Sequence, residues 1–300
     1  MPETSHRIPA LDGYPLAARL LVPDGTPKAV VQLNGGTAIL KEFYGSFARF
    51  LVENGYAVCL WDYRGTGESA PSSLRDFPAR MLDWGTLDMP AVLDFLDETF
   101  PNLPKLAFGH SAGGQQVGFM PNLDKLSGLV CFATSSGYWG FMPTDYRLKT
   151  HLFFHGVVPV GNALLGYTAA RRLGIMEDVP KGVAREWRAW CSRPDYFFDP
   201  KFFGKTVPTG RFDALPFPVK VFWATDDPIS NARSVPAFWR HVRSLHSLDV
   251  EALSPAEFGL KSIGHFGLFR KTARETLWPK ALAALETMRL ARPVLHEPDP

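Results

Sequence analysis

A serine bracketed by glycines, Gly109-His110-Ser111-Ala112-Gly113, lies between a short apolar run, Lys105–Phe108, and a segment patterned as the start of a helix, Gln115–Met120. A strand that turns into a helix within so few residues bends too sharply for side chains at the flanking positions, and glycine relieves that crowding. The serine Oγ then projects from the C-terminal edge of a sheet. The helix N-terminus beneath it supplies N–H groups to a developing oxyanion. Such a strand-turn-helix belongs in a largely parallel sheet, and the rest of the chain alternates short apolar runs with helical periodicity.

Leu16–Val22 and Ala29–Leu33 read as strands, and the turn-rich linker Pro23–Pro27 between them suits a hairpin. Phe43, Phe47, Phe50 and Leu51 give Glu42–Asn54 a helical stripe that Gly55 is placed to end. Tyr56–Trp61, Gly128–Ala133, Val219–Ala224 and Leu248–Leu253 read as further strands, Leu87–Phe100 and Thr272–Leu290 as helices. The proline-rich tail Arg292–Pro300 is expected to fray.

Between Thr134 and Pro218 the rhythm breaks into an aromatic-rich stretch with helical patterns at Tyr146–Phe154 and Gly182–Cys191. It reads as a cap inserted above the sheet edge. The core is then residues 1–134 and 219–300, and the cap 135–218, with Tyr138 and Trp139 as candidate substrate contacts. Ordinary extra helices at the sheet periphery are the alternative, because aromatic spacing more often marks core than a ligand box.

With 300 residues, 46% hydrophobic and 21% charged, the chain is a globular protein able to bury an extensive core. A net charge of +2 without a basic run argues against nucleic acid as partner, and Arg171-Arg172 reads as a solvated face. The N-terminus lacks the pattern of a signal peptide, and no apolar run reaches the length of a membrane span. Cys59, Cys131 and Cys191 are far apart and read as free, reduced core thiols without metal-ligand spacing. The cytoplasm is the expected compartment, and neither metal nor organic cofactor is expected.

A serine hydroxyl needs a neutral imidazole to take its proton, and the imidazole needs an acid to fix its tautomer. Asp226-Asp227-Pro228 follows the strand Val219–Ala224, and Gly264-His265-Phe266-Gly267 precedes the last helix. Ser111, Asp227 and His265 thus occur in the order Ser, acid, His, each just beyond the C-terminal end of an expected strand. Asp226 is the other candidate acid, whichever is not used being free to cap a helix. His110 reads as a packing residue, and His151 and His155 as surface or pocket-wall residues. Asp62–Ser69 lacks the pattern of a phosphate loop, and its Asp62 and Arg64 are expected to tie to neighbouring backbone.

The chain resembles the α/β-hydrolase superfamily over essentially its whole length. The resemblance rests on Leu33–Gly36, Asp62–Ser69, Gly109–Gly113, Thr225–Pro228 and Gly264–Gly267. Gly109–Gly114, Ser136–Trp139 and Gly264–Arg270 are similar to a bacterial group described only as predicted serine hydrolases. The resemblance implies an oxyanion hole formed by the N–H groups of Ala112 and Gly36, although Asn34 stands where a histidine is usual. It also implies a serine hydrolase acting on a small-molecule acyl substrate, most simply a carboxylic ester. A thioesterase, amidase, C–C bond hydrolase or acyltransferase on the same triad, or a non-catalytic ligand-binding protein, remains the alternative.

Overall fold

A computed structural model describes residues 2–290 of the protein; the tail Arg292–Pro300 lies outside the described residues. Among the described residues ten strands run in chain order: β1 (Glu3–Pro9), β2 (Pro15–Leu21), β3 (Ala29–Asn34), β4 (Tyr56–Trp61), β5 (Lys105–His110), β6 (Leu126–Phe132), β7 (Tyr167–Thr168), β8 (Val179–Pro180), β9 (Val219–Ala224) and β10 (Leu248–Leu253). β7 and β8 pair only with each other, and the other eight form one sheet in the order β1-β2-β4-β3-β5-β6-β9-β10. From β4 to β10 the pairs are parallel, while β1–β2 and β2–β4 are antiparallel. β3, β4 and β5 are buried along their whole length, as central parallel strands covered on both faces must be.

The linker Pro23–Pro27 does not close a hairpin, because β4 lies between β2 and β3 and the chain crosses over it. β1 carries no sequence signal: only Ile8 of its seven residues is buried, so an edge strand of polar side chains presents no apolar run.

The helices are α1 (Gly45–Glu53), α2 (Met81–Asp83), α3 (Met89–Thr99), α4 (Ala112–Gln115), α5 (Thr144–Leu152), α6 (Val158–Leu164), α7 (Lys181–Cys191), α8 (Ser234–Trp239) and α9 (Leu277–Leu290). α1 and α9 pack over one face of the sheet, where Phe47, Phe108, Phe269 and Trp278 meet. α3 covers the other face. α9 begins five residues later than the expected helix. Pro279 cannot donate a backbone hydrogen bond and so sits within the first turn, behind a separate 3₁₀ turn at Lys271–Ala273.

After the elbow the expected longer helix is absent. α4 has four residues and gives way to a 3₁₀ turn at Val117–Phe119, since Gly113, Gly114 and Gly118 favour helix weakly and Pro121 follows. So short a turn builds no macrodipole, and it offers single N–H groups instead. Within the aromatic stretch, Phe197, Phe198 and Phe212 pack with Phe119 and Phe238 into the sheet-face core. α5, α6 and α7 stand beyond the C-terminal ends of the strands.

Candidate active site

Ser111 follows β5 directly, and its backbone takes φ +51° and ψ −115°, a left-handed conformation that a residue with a Cβ adopts only under constraint. The constraint is visible on both sides. The Ser111 N–H donates to the Phe132 carbonyl at 2.9 Å, and the Thr134 hydroxyl donates to the Ser111 carbonyl at 3.1 Å. The flanking glycines answer close approach: a Cβ on Gly109 would lie 2.5 Å from Gly114, and one on Gly113 would lie 2.1 Å from the Asn34 carbonyl oxygen.

β9 ends at Ala224, and the turn beyond it splits two adjacent carboxylates between two tasks. Asp227 is 2% exposed; its Oδ1 accepts the Ile229 N–H at 2.7 Å, and its Oδ2 lies 2.7 Å from His265 Nδ1. A carboxylate only accepts, so Nδ1 carries the proton, and a neutral ring keeps its lone pair on Nε2. Asp226 faces the other way. It accepts the Ser262 hydroxyl at 2.6 Å and the N–H groups of Ile263 and Gly264 at 3.0 and 2.9 Å, which clamps the loop that carries His265. Partial burial pushes Asp226 up, but those hydrogen bonds outweigh it and hold its carboxyl below the usual range.

Ser111 and His265 line the same cavity, and no hydrogen bond joins Ser111 Oγ to His265 Nε2 among the described residues. Catalytic hydrogen bonds commonly tighten only when substrate binds.

His110 does more than pack. It is fully buried, with Nε2 at 2.9 Å from the His265 carbonyl oxygen and Nδ1 at 2.7 Å from the Tyr44 hydroxyl. Burial, with the nearby His265 ring, holds its pKa well below the usual imidazole value, so the ring is neutral. A carbonyl only accepts, so the proton is on Nε2 and Nδ1 accepts from Tyr44. The Tyr44 oxygen in turn accepts the Gly36 N–H at 2.8 Å. One chain of hydrogen bonds thus runs from the loop after β3, through Tyr44 and His110, to the backbone of His265.

This corrects the expectation for Gly36, whose N–H is already committed to Tyr44. The next N–H on that loop, of Thr37, has no acceptor among the described residues, nor has that of Ala112. Asn34, in place of the usual histidine, is buried; its Oδ1 accepts from Gln32 Nε2 at 2.9 Å and Trp61 Nε1 at 3.3 Å. Asp62 ties to backbone as expected, and Arg64 departs from expectation. Besides the Lys41 and Glu68 N–H groups, Asp62 holds the buried Lys41 ammonium at 2.6 Å. The Arg64 guanidinium pairs with the carboxylates of Asp88 and Asp12, both at 2.7 Å, rather than with backbone, as a buried cation must.

The cavity over Ser111 has a volume of about 510 Å³. It is lined by Thr37, Ser111, Gln115 and His265 and by a largely apolar wall that includes Met142, Phe153, Phe154 and Trp187. Phe153 and Phe154 come from a widened π turn, Phe153–Val157, between α5 and α6. Burial, then the Asp227 charge, raises the phenol of Tyr146 on the same wall. Tyr138 and Trp139, the expected substrate contacts, do not line this cavity. Trp139 packs against His151 and His155 and borders a separate open depression of about 600 Å³ that contains none of Ser111, Asp227 and His265. Tyr44, Thr37 and Gln115 carry no motif and could not be singled out from the sequence.

Cys59, Cys131 and Cys191 are free and buried, and burial pushes the thiols of Cys59 and Cys131 up to about 12. No helix of the described residues is long and apolar enough to cross a membrane.

An eight-stranded, mostly parallel sheet with a serine elbow at its C-terminal edge and an acid–histidine pair beside it defines an α/β-hydrolase fold. Residues 25–156, under half of the chain, match a family described as serine aminopeptidase, S33. No curated protein matches. Among solved structures, a monoglyceride lipase from Saccharomyces cerevisiae superposes with TM-score 0.64 at 14% identity, over 95% of this chain and 96% of that one. A carboxyl esterase from Bacillus coagulans gives 0.60 at 13% identity, over 97% and 100%. The epoxide hydrolase CorEH gives 0.58 at 17% identity, over 96% and 100%. At such identities the likeness is one of fold.

Proposed function

We propose that the protein is a serine hydrolase that cleaves an acyl bond, most simply a carboxylic ester, with Ser111 as nucleophile, His265 as base and Asp227 as its orienting acid. The observation that carries this reading is the 2.7 Å bond between Asp227 and His265 Nδ1, which leaves Nε2 as the basic nitrogen in a ring bordering the cavity of Ser111. In the first half-reaction Ser111 Oγ bonds to the substrate carbonyl carbon and its proton passes to His265 Nε2. The same proton then goes to the departing alkoxide as the C–O bond breaks. Water attacks the acyl-enzyme by the same route, and the products are the acid and the alcohol.

The oxyanion is held by the N–H of Ala112 and by that of Thr37, the free donor on the loop after β3. Such donors contribute about 3 kcal/mol each to the transition state. Residues 135–218 supply the cover, and its apolar wall favours a hydrocarbon portion of the substrate. The activities of structural neighbours, esterases and a monoglyceride lipase among them, are consistent with this reading.

Intact mass after treatment with a fluorophosphonate tests the proposal. One adduct is expected, absent from Ser111→Ala and strongly slowed in His265→Ala. A folded wild-type protein that takes no adduct would sink it and favour a ligand-binding role for the cavity.

A further inference from the structure

α7 carries Lys181, Arg185 and Arg188 at spacings of four and three residues, which puts all three cations on one face of the helix. All three line the open depression of about 600 Å³ beside Trp139, and no aspartate or glutamate lines it. Lys181 reaches the exposed Asp76 at 3.4 Å, while Arg185 and Arg188 have no ion pair or hydrogen-bond partner among the described residues. The acid of the same helix, Glu186, accepts from Arg80 Nε at 2.7 Å and does not offset them. Like charges one turn apart repel, so this face carries a cost that a bound anion removes.

A row of cations on a helix is ordinarily a solvated face, but here a buried donor joins it. Asn162, on α6, lines the same depression and is only 7% exposed. The fully buried Thr168 hydroxyl has one acceptor among the described residues, Asn162 Oδ1 at 3.0 Å, and this fixes the orientation of the amide. Nδ2 is then turned away from Thr168, has no acceptor among the described residues and is not sealed from solvent. An unused amide donor beside unpaired guanidinium groups suits an oxyanion. Trp139 and Val158 give the depression an apolar side as well.

We propose that this depression is a second binding site, for an organic phosphate; it shares no lining residue with the catalytic cavity. Arg185 and Arg188 hold the phosphate through forked donors that match its oxygens, Asn162 Nδ2 donates to it, and Lys181 adds charge. The organic body lies on Trp139 and Val158. A phosphate monoester carries a charge of about −1.5 to −2 at neutral pH, which suits three cations better than a single carboxylate does. The proposal does not depend on the hydrolase reading.

Calorimetric titration of the full chain at low salt tests it, with phenyl phosphate as the probe. One site per chain should saturate, at least about tenfold tighter than with phenol, benzoate or inorganic phosphate, each of which lacks one half of the match. Arg185→Gln/Arg188→Gln removes two side chains that hold nothing else among the described residues, and it should weaken phenyl phosphate by about tenfold or more. Arg171→Gln/Arg172→Gln removes as much charge from outside the depression and should leave the affinity within about twofold. Equal losses in the two double variants would mean general electrostatic attraction, and the inference fails. It also fails if phenyl phosphate does not saturate at millimolar concentration, or if Arg185→Gln/Arg188→Gln binds it normally. Binding of phenol, benzoate or inorganic phosphate as tight as that of phenyl phosphate overturns it too. These wild-type comparisons stand even if a variant does not fold.

Discussion

Tyr44→Phe removes one oxygen atom and nothing else, at the centre of the chain that joins the loop after β3 to the loop of His265. The ring keeps its edge-on packing on Phe269, at 4.8 Å between centroids, so no large cavity opens. Two buried groups lose their partner: the Gly36 N–H, which donated at 2.8 Å, and His110 Nδ1, which accepted at 2.7 Å. Each orphaned group carries a penalty of about 1–3 kcal/mol, partly offset because the phenol itself no longer has to be buried, which leaves about 2–4 kcal/mol. Unfolding entropy of about 2.1 cal/mol/K per residue makes that a fall in Tm of about 3–6 °C for a chain of this size. Calorimetry reads it, with urea unfolding at unchanged m-value as the control for an intact fold. A Tm within about 1 °C of wild type would refute the hydrogen-bond chain. Because Thr37 rather than Gly36 is assigned to the oxyanion, kcat on an activated ester should fall by no more than about tenfold. A loss of two or more orders of magnitude would mean that the Gly36–Tyr44 bond itself belongs to transition-state stabilisation.

The two aspartates of the turn after β9 should separate cleanly. Asp227→Asn should lower kcat by about 10⁴-fold with the fold retained, and Asp226→Asn, which only loosens the loop clamp, by about tenfold or less; steady-state kinetics in the reverse order would refute the assignment. Lys41→Met leaves the buried Asp62 carboxylate unpaired and should destabilise by about 3–5 kcal/mol in urea unfolding, whereas a neutral result would mean that water reaches Asp62. Hydrogen bonds from Arg64, Lys41 and Lys105 hold the carboxyls of Asp12, Glu68 and Asp97 below their usual ranges. A lowered folded-state pKa contributes stability that is present above the unfolded value and lost as pH falls through the folded one. The contribution of these three carboxyls is therefore constant near neutrality and lost below about pH 4, so alanine or amide variants of Asp12, Glu68 and Asp97 should flatten the acid limb of Tm against pH. An acid limb that those variants leave unchanged would contradict the sign.

Much of the fold could be read along the chain because it is encoded locally. β4 and β9 follow from apolar runs between turn signals, and α1 from its stripe and from Gly55 at φ +87°. The elbow at Ser111 is equally local, since a bend that tight leaves glycine as the residue that fits at Gly109 and Gly113. What pairs with what is a different matter. β2 lies beside β4 rather than β3, and β1 exists only because an exposed backbone edge was available to it, so neither is written in periodicity.

The same division runs through the candidate site. Ser111, Asp227 and His265 stand out by residue type and order, whereas the choice between Asp226 and Asp227 depends on which carboxylate faces the imidazole ring, an orientation set by the turn after β9. The commitment of Gly36 to Tyr44, the neutral His110 between two loops, and the unpaired oxygen of Gln115 depend on side chains from distant segments meeting in a dry interior. There a hydrogen bond left unmade has no water to replace it, so tertiary packing decides which polar atoms are satisfied and which are left unpaired.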